Sequence, residues 1–303
     1  MRMKRTIWLS GALVDSQSAM IGALSPAAQF GLSVFEGIRA YRSEKTGALN
    51  VFRLNEHLER LFDSCSLVGF CSPYNMSELE SIIKMVVRAN DYRSDIAIRV
   101  AVFVDGEGSW TSSEPINLFV APIEKCRSDI LQLKALKACV SSWVRIGDNS
   151  LPPRVKLGAN YINSRYAYNQ AKAFGCDLPI FLASDGKLSE STGACIFLIK
   201  DGRLITPLCT SSILNSITRE TVIVLGGEMG LLVEERVVDR TELYLADEIF
   251  LCGTAAELTP VGQVDQFKIG DGSPGKITLA LLKQYHAAVS GELEQHASWL
   301  TPI

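Results

Sequence analysis

A lysine and a tyrosine near the middle of the chain could together carry covalent chemistry on an aldehyde. Lys156 lies between Val155 and Leu157, and this apolar, strand-like setting predicts that its side chain points inward. A desolvated lysine has a lowered pKa, so its amine is a good nucleophile toward an aldehyde. Tyr161, at an expected helix start, could hydrogen-bond a phenolate oxygen on a bound ring. A solvated surface lysine and a core tyrosine are the structural alternatives.

A carboxylate in a strand-like stretch is the next chemical candidate. Glu190 falls within residues 187–199, whose pattern predicts a strand. A carboxylate inside a sheet costs free energy unless it is paired or lies at an edge. Opposite a pyridinium nitrogen it would keep the ring protonated and electron-withdrawing. An edge position is the structural alternative.

Residues suited to bind a phosphate lie farther along the chain and in an earlier helix. A phosphate site needs backbone N–H groups at a helix start, together with hydroxyls and an arginine. Residues 216–218 offer a helix start with the Thr218 hydroxyl, Thr254 offers a second hydroxyl, and Arg60 offers a guanidinium. Taken singly, each is explained as an N-cap, a turn residue or a solvated helix residue. Together with the amine and the carboxylate, they favour pyridoxal 5′-phosphate as a cofactor.

The composition describes a folded protein without a nucleic-acid or membrane partner. Of 303 residues, 47% are hydrophobic and 21% are charged, which is typical of globular chains and is enough for two domains. The formal net charge is −3 and no basic block occurs, so nucleic acid is not an expected partner. No apolar run reaches the roughly 18 residues of a membrane helix, and no signal peptide is recognised. A cytoplasmic location is therefore predicted.

The cysteines and histidines do not indicate a metal site. The eight cysteines are scattered and form no Cys-x-x-Cys pair, so they are predicted to be reduced and mostly in the core. The three histidines, His57, His286 and His296, lack metal-ligand spacing. We therefore expect no bound metal.

Strand and helix patterns predict a small α+β domain, residues 1–121, at the start of the chain. Asn55 and Ser77 are expected to cap its two helices. Its expected strands are 6–9, 33–41, 49–53, 96–104 and 116–121. The charged stretch 122–133 is the predicted interdomain linker. Residues 134–303 are the predicted large domain, which would bind the cofactor.

The predicted large domain alternates strands and helices. Its expected strands are 135–143, 178–183, 187–199, 203–206, 231–238 and 248–252. Its expected helices begin near Asn160, Ser216, Thr241 and Gly275. The whole chain is therefore predicted to combine α/β and α+β architecture.

The order of the motifs along the chain resembles that of one enzyme family. The motifs are, in order, Glu36-Gly37-Ile38-Arg39, the segment around Arg60, Lys156 with Tyr161, Glu190, residues 216–219 and residues 253–257. This order resembles the class IV (fold-type IV) pyridoxal phosphate aminotransferases, most closely the branched-chain amino acid aminotransferases, from Trp8 to Gly291. The resemblance implies a two-domain, D-amino acid aminotransferase-like fold with the cofactor between the domains.

The resemblance also implies a role for each motif residue. Lys156 would hold the cofactor and then move a proton between the substrate α-carbon and the cofactor C4′, as base and then acid. Tyr161 would bond the ring oxygen and Glu190 the ring nitrogen. The other cofactor contacts would come from Arg60, Leu214, Ser216, Ile217, Thr218 and Thr254. The substrate contacts would come from Phe30, Phe35, Gly37, Arg39, Arg99, Thr254 and Ala255.

The implied reaction is a transamination between an L-amino acid, branched-chain or otherwise aliphatic, and 2-oxoglutarate. Its products are the 2-oxo acid and L-glutamate. In such a reaction Arg99 would receive the distal carboxylate of glutamate or 2-oxoglutarate, although structural pairing of this strand arginine is an equal alternative. A homodimer or a higher homo-oligomer is implied, with residues 106–110 reaching a neighbour's site.

Other functions stay open to different degrees. Phe30 and Ala97 stand where tyrosines are common in branched-chain enzymes, and residues 122–133 lack the aromatics that often wall the side-chain pocket. Ser191, Ala194 and Cys195 alter the usual motif after the ring-nitrogen glutamate. A specialised biosynthetic class IV aminotransferase with a remodelled pocket is therefore the stronger alternative.

The remaining alternatives conflict with motifs in the chain. Glu36-Gly37-Ile38-Arg39 argues against a D-amino acid aminotransferase, an aminodeoxychorismate lyase and an (R)-amine transaminase. A catalytically inactive binding subunit conflicts with the presence of both Lys156 and Glu190.

Overall fold

The computed structural model describes residues 5–303 and divides into two compact units. The first unit contains the described residues up to Arg127, together with Val155–Ala159 and Ala288–Ile303. The second unit contains Ser128–Arg154 and Asn160–Ala287. This division differs from the boundaries expected from the sequence, since two short stretches from beyond residue 134 belong to the first unit. In the described part of the chain, no helix has the length and apolar character needed to cross a membrane.

The first unit is built on one antiparallel sheet with helices packed on it. Its strands are β1 (Thr6–Leu9), β2 (Ala12–Asp15), β3 (Ser33–Arg42), β4 (Leu49–Phe52), β5 (Ile96–Val104), β6 (Ile116–Glu124) and a C-terminal strand, Leu300–Pro302. The sheet order is C-terminal strand-β4-β3-β5-β6-β1-β2. Its helices are α1 (Pro26–Phe30), α2 (Leu54–Val68) and α3 (Met76–Arg88). The stretch expected to be a linker therefore begins inside a strand, because β6 continues to Glu124.

Alternation along β3 divides its side chains between two faces of the sheet. Val34 and Ile38 are fully buried and join the core with residues of α2 and α3. The odd-numbered positions lie on the opposite face, as the period of two requires. There the register pairs Gly37 with Arg99 of β5, so both occupy that opposite face. The core face stabilises this unit, while the opposite face is available for a site.

The two predicted helix caps of the first unit are wrong. Helix α2 has Arg53 at its N-cap, in the left-handed region with φ of 52°, instead of Asn55. Helix α3 has Asn75 at its N-cap instead of Ser77. The Asn75 side chain accepts from the Glu78 N–H and the Glu78 side chain accepts from the Asn75 N–H, a capping box. This reciprocal pair satisfies two helix-end groups at once.

The second unit is built on a mixed sheet with helices. Its strands are β7 (Leu136–Val140), β8 (Leu178–Leu182), β9 (Leu188–Ser191), β10 (Cys195–Lys200), β11 (Arg203–Thr206), β12 (Leu232–Glu235), β13 (Glu248–Gly253), β14 (Glu257–Val264) and β15 (Phe267–Lys268). The order is β12-β11-β10-β13-β14-β7-β8-β9, with β15 on β14. Its helices are α4 (Tyr161–Ala173), α5 (Ile217–Glu228), α6 (Glu242–Leu245) and α7 (Lys276–Ser290), whose last residues belong to the first unit.

A turn interrupts the long strand that was predicted over residues 187–199. The segment forms two strands, β9 and β10, joined through an isolated bridge between Ser191 and Ala194. Gly193 adopts φ of 73° in this turn, which a residue with a side chain rarely does. The turn places a tight bend three residues after Glu190. Strand β14, which follows the turn at residues 253–257, was not predicted from the sequence.

Candidate active site

The backbone around Lys156 is attached to β3 and α2 of the first unit. Leu157 forms an isolated bridge with Val34, and the Phe35 N–H donates to the Lys156 carbonyl at 3.0 Å. The Lys156 N–H donates to the Ser64 hydroxyl at 3.2 Å. Residues 155–157 therefore form a short bridged segment in place of the expected strand. These bonds define the point from which the lysine side chain starts.

Two cationic side chains share one aromatic ring on the open face of the first unit's sheet. Lys156 Nζ lies 5.2 Å from the Phe35 ring centroid, and Arg99 Cζ lies 4.2 Å from it. Lys156 is half-buried, so its side chain lies against the ring instead of deep in the core. Cation–π contacts of this kind stabilise a positive charge over the ring face. The structure thus brings together three of the predicted residues.

A cavity of about 450 Å³ opens beside this group, within the first unit. Its lining is apolar apart from Ser33 and Arg99. The lining residues are Ile21, Gly22, Ala23, Ala27, Ala28, Ser33, Phe35, Arg99, Ala101, Phe103 and Phe119. The volume lies within the range of small-molecule sites. An apolar cavity with one guanidinium suits an aliphatic chain that carries a carboxylate.

The other residues predicted to contact substrate lie outside this lining. Gly37 has open space above it, because a Cβ built there would meet no heavy atom within 4 Å. Phe30 is the last residue of α1 and is exposed. Arg39 is only 1% exposed, and its Nη2 donates to the Lys125 carbonyl at 2.9 Å. Arg39 therefore makes a packing contact within the unit.

Arg60 belongs to a buried cluster that was not predicted from the sequence. Its Nε donates to Glu36 Oε1 at 2.7 Å and its Nη2 donates to Oε2 at 2.8 Å. His57 Nδ1 lies 2.7 Å from the same Oε2. Glu36 is 0% exposed and His57 1%. Arg60 was considered a solvated helix residue or a phosphate ligand, and its ion pair excludes the first of these readings.

The charges of this cluster follow from burial and pairing. Burial by itself would raise the pKa of the Glu36 carboxyl, but the Arg60 charge and the His57 hydrogen bond hold that pKa well below its usual range. Burial lowers the pKa of His57, and the hydrogen bond to Glu36 only partly opposes it. Glu36 is therefore an anion and His57 is neutral. An ionised carboxylate only accepts hydrogen bonds, so His57 Nδ1 carries the proton.

Glu190 is the buried carboxylate of the second unit. It lies in β9 and is 2% exposed. Arg145 binds its Oε1 through Nε at 2.9 Å and Nη2 at 2.7 Å. The Leu214 N–H donates to Oε2 at 3.3 Å, and the Cys195 thiol lies 3.8 Å from the same oxygen. A neighbouring guanidinium favours the ionised carboxylate, so Glu190 can be an anion despite its burial.

Arg145 was not predicted from the sequence as a site residue. It stands in an irregular stretch after β7, and its N–H donates to the Leu182 carbonyl at 2.9 Å. Its Nη1 also donates to Asn163 Oδ1 at 3.3 Å. The only local signal is a charged residue between two apolar ones, Val144 and Ile146, just beyond the predicted strand 135–143. Nothing local connects it to Glu190, which is 45 residues away.

Tyr161 and Thr254 lie near the turn that follows Glu190. Tyr161 is the first residue of α4, and its Cε1 would be 3.9 Å from a Cβ built on Gly193. Thr254 follows the end of β13, where a Cβ built on Gly253 would lie 3.1 Å from the Gly193 carbonyl. The turn at Gly193 therefore lies beside Tyr161 and beside Gly253, the residue that precedes Thr254.

Helix α5 begins where the phosphate site was predicted. Ser216 is its N-cap, and the Ser216 hydroxyl accepts from the Arg219 N–H at 3.2 Å. Ile217 and Thr218 form the first turn and are both buried. The first N–H groups of a helix have no carbonyl partner within the helix, and they favour anions. The Leu214 bond to Glu190 connects this helix start to the carboxylate.

The thiols near Glu190 are neutral packing groups. Burial raises the pKa of Cys195 well above its usual value, and the Glu190 charge raises it further. Burial likewise raises the pKa of Cys252, which faces Cys195 across β10 and β13. Neither cysteine is therefore a nucleophile. Within residues 5–303, no group of three or more histidine, cysteine, aspartate or glutamate side chains is placed to hold a metal ion.

Comparison with known proteins gives one consistent family. A sequence model of the family described as "Amino-transferase class IV" matches residues 33–264. A probable branched-chain-amino-acid aminotransferase of Aquifex aeolicus is 38% identical over 298 residues, 98% of this chain and 96% of that protein. The branched-chain-amino-acid aminotransferase of Escherichia coli K12 is 36% identical over 302 residues, 98% of this chain and 97% of that one.

Solved structures give the same result for the fold. The branched-chain amino acid aminotransferase from Thermobaculum terrenum, in its PLP form, has a TM-score of 0.93 and 40% sequence identity. The match covers 99% of this chain and 98% of that chain. The predicted fold class, with α/β and α+β architecture of fold-type IV, is confirmed. The chain therefore belongs to the class IV aminotransferase family.

Proposed function

We propose that this aminotransferase moves the amino group of a branched-chain L-amino acid to 2-oxoglutarate, with pyridoxal 5′-phosphate as its cofactor. The products are the branched 2-oxo acid and L-glutamate. The observation that carries the proposal is the full-length similarity to enzymes named branched-chain aminotransferases, at 36–38% identity over 98% of this chain. The shape and lining of the cavity, which is apolar with a single arginine, also support the proposal.

Each unit carries side chains with the chemistry that the cofactor implied by the family would need. When bound, pyridoxal phosphate supplies an aldehyde that captures amines and a ring that takes up electrons from the substrate α-carbon. Lys156 would bind the aldehyde, and Tyr161 would donate to the ring oxygen. Glu190, an anion beside Arg145, would accept a hydrogen bond from the protonated ring nitrogen. A buried carboxylate that already has a guanidinium partner suits a cationic ring nitrogen.

The phosphate would be held by the start of α5 and by polar side chains. Backbone N–H groups of Ile217 and Thr218 would bind its oxygens, and the helix dipole would favour its charge. The hydroxyls of Thr218 and Thr254 would add donors. Arg60 would add a charge-assisted contact. Ser216 would hold the helix end in place through its bond to the Arg219 N–H.

Lys156 would also move the proton on which transamination depends. Its amine would take the proton from the substrate α-carbon, as a base, and would then give a proton to the cofactor C4′, as an acid. The backbone N–H and carbonyl of Lys156 are both hydrogen-bonded, so the positions that its amine can reach are limited. The Phe35 ring on one side would exclude water from that path.

The substrate would lie on the open face of the first unit's sheet. The cavity beside Phe35 would take the aliphatic side chain of a branched-chain amino acid. Arg99, which lines the same cavity, would bind the distal carboxylate of glutamate or 2-oxoglutarate. Gly37 leaves room above the sheet for either molecule. Phe30 and the Thr254-Ala255 backbone would complete the substrate contacts.

A homodimer or higher oligomer is part of the proposal. The first unit exposes large apolar side chains at Met20, Leu24, Phe30 and Trp110, with Met20 83% and Trp110 71% exposed. Where such exposed apolar side chains adjoin one another, they are typical of protein–protein interfaces. Residues 106–110 would contact a neighbouring copy near its substrate site.

A panel of amino donors tests the proposed function. The enzyme, saturated with pyridoxal phosphate, is given 2-oxoglutarate with L-leucine, L-isoleucine, L-valine, L-phenylalanine or D-alanine, and glutamate formation is followed. We expect kcat/KM for the three branched-chain donors to exceed that for D-alanine by at least about 100-fold, because discrimination follows differential contacts in the pocket. Strong turnover of D-alanine without turnover of L-leucine would contradict the proposal.

A specialised aminotransferase for a larger donor is the second candidate. The register surrounds Arg99 with small residues on the open face, since Gly37 and Ala121 are its partners and Ala97 and Ala101 lie two residues away. Small side chains leave room for a bulky substrate. A kcat/KM for L-phenylalanine above that for L-leucine in the same panel would favour this candidate.

Replacing Arg99 with glutamine is expected to separate the two substrates. The KM for 2-oxoglutarate should rise about 10- to 100-fold, since a charge-assisted contact is worth about 1.5–3 kcal/mol. The KM for L-leucine should change less than about threefold, because leucine has no distal carboxylate. Arg93→Gln, at an exposed ion pair with Asp91, is the matched control and should change neither value. An equal rise in both KM values would contradict a carboxylate contact.

A further inference from the structure

We propose that Glu36 and His57 are positioning residues that orient the Arg60 guanidinium for the phosphate of the cofactor. The inference rests on the proposed function, in which Arg60 contacts that phosphate. It goes further by assigning a role to two residues that would not touch the cofactor themselves. Its basis is the geometry of the three side chains and their burial.

Glu36 occupies a position where a carboxylate is costly unless it is bound. It lies on the core face of β3 between Val34 and Ile38, and all three residues are 0% exposed. A buried charge costs free energy unless it is paired and hydrogen-bonded. Three short contacts, two from Arg60 and one from His57, satisfy both of its oxygens. The strand therefore presents a bound anion to α2.

Helix α2 carries both partners of this anion on one face. His57 and Arg60 are three residues apart, so their side chains lie on adjacent turns of the same face. His57 is neutral and donates its Nδ1–H to Glu36, which limits the positions that the carboxylate can take. Arg60 therefore binds a carboxylate whose position is already restricted by the His57 hydrogen bond. The arginine side chain itself is 11% exposed.

The two bonds from Arg60 determine the plane of its guanidinium. Its five N–H donors form a rigid planar fork, so fixing Nε and Nη2 against Glu36 fixes the direction of the remaining donors. The edge formed by Nε and Nη2 therefore faces Glu36, and the plane of the whole guanidinium follows from it. Phosphate is recognised by such planar forks, and a fork already held in place loses less entropy on binding.

A variant with glutamine at position 36 tests the proposal through cofactor binding. Glu36→Gln keeps the shape of the side chain and removes the anion. Dissociation constants of pyridoxal phosphate and of pyridoxal, which lacks the phosphate, are measured by absorbance on the full-length protein. We expect the Kd of pyridoxal phosphate to rise about tenfold and that of pyridoxal to change less than about twofold, since only the phosphate contact is affected.

Three further variants define the outcomes. Arg60→Gln should raise the Kd of pyridoxal phosphate more than Glu36→Gln does, again without weakening pyridoxal. Ile38→Val, on the same core face of β3, loosens the core without touching a charge and should leave the ratio of the two constants unchanged. Should Glu36→Gln not fold, His57→Gln carries the same test, with an expected rise of about threefold for pyridoxal phosphate.

The outcomes separate this inference from the proposed function. If Arg60→Gln weakens both ligands equally, Arg60 has no phosphate role and the inference is overturned with it. If Arg60→Gln weakens only pyridoxal phosphate while Glu36→Gln changes both ligands equally or neither, the phosphate role of Arg60 stands and the inference alone is overturned. A selective loss of pyridoxal phosphate in both variants supports it.

Discussion

Replacing Lys156 with alanine is expected to reduce turnover by at least about 10³-fold, since one group would lose both its covalent and its proton-transfer role. The half-buried amine lies 5.2 Å from the Phe35 ring, and hydrogen bonds to Ser64 and Phe35 hold its backbone. In the alanine variant, a water molecule could not replace the amine in proton transfer, because water is a weaker base and is not held at one position. The protein should still bind pyridoxal phosphate, but without the absorbance of the lysine-bound form.

Two measurements check this prediction. Borohydride reduction of the enzyme followed by peptide mapping should place the pyridoxyl label on Lys156. Lys187→Ala is the matched control, because Lys187 is an exposed lysine whose Nζ pairs with Asp239 at 2.6 Å. That variant should keep turnover within about twofold, since surface ion pairs contribute little. A label on a different lysine would refute the proposed role of Lys156 and the reading of the site built on it.

Replacing Glu190 with glutamine is expected to have the second-largest effect. Turnover should fall about 100-fold, because an amide is a much weaker partner for a cationic ring nitrogen than a carboxylate. The free energy of unfolding should fall by about 3–5 kcal/mol, since Arg145 would be left as a buried cation without its anion. Both effects come from one charge, but they report on different partners.

Steady-state kinetics and urea unfolding test the two effects separately. The control is Glu234→Gln, where the carboxylate accepts from Arg203 at 2.8 Å near the surface. Its unfolding free energy should change by no more than about 1 kcal/mol and its turnover should be unaffected. Turnover of Glu190→Gln within about twofold of the unaltered enzyme would exclude a role for Glu190 at the ring nitrogen.

Several elements were predictable because local pattern determines them. The strand patterns of β3 and β5 and the start of α5 after the N-cap Ser216 all follow from short-range periodicity and capping. The family was also predictable, because the sequence shows directly both the order of the motifs and residue types such as Lys156 and Glu190. The comparisons confirm that family.

Other elements were not predictable because their determinants compete locally. Asn55 and Ser77 were predicted as helix caps. At α3 the cap is Asn75 instead, because it makes reciprocal hydrogen bonds with Glu78. The segment after Glu190 reads as one strand until Gly193 takes a left-handed conformation and bends it. A residue type permits such a bend without requiring it, so the sequence pattern alone leaves both readings possible.

Residue types and their order along the chain are enough to identify the chemical groups of this protein and the family that uses them. The partners that bind those groups become known only from the fold. Glu190 is bound by Arg145, 45 residues away, and Glu36 is bound by Arg60, 24 residues away. The physical reason is that ion pairing depends on distance and burial in space, whereas pattern and propensity report only on neighbours along the chain. Strand register and helix packing bring the partners together. Neither can be predicted from the residues that neighbour a charged side chain in the sequence.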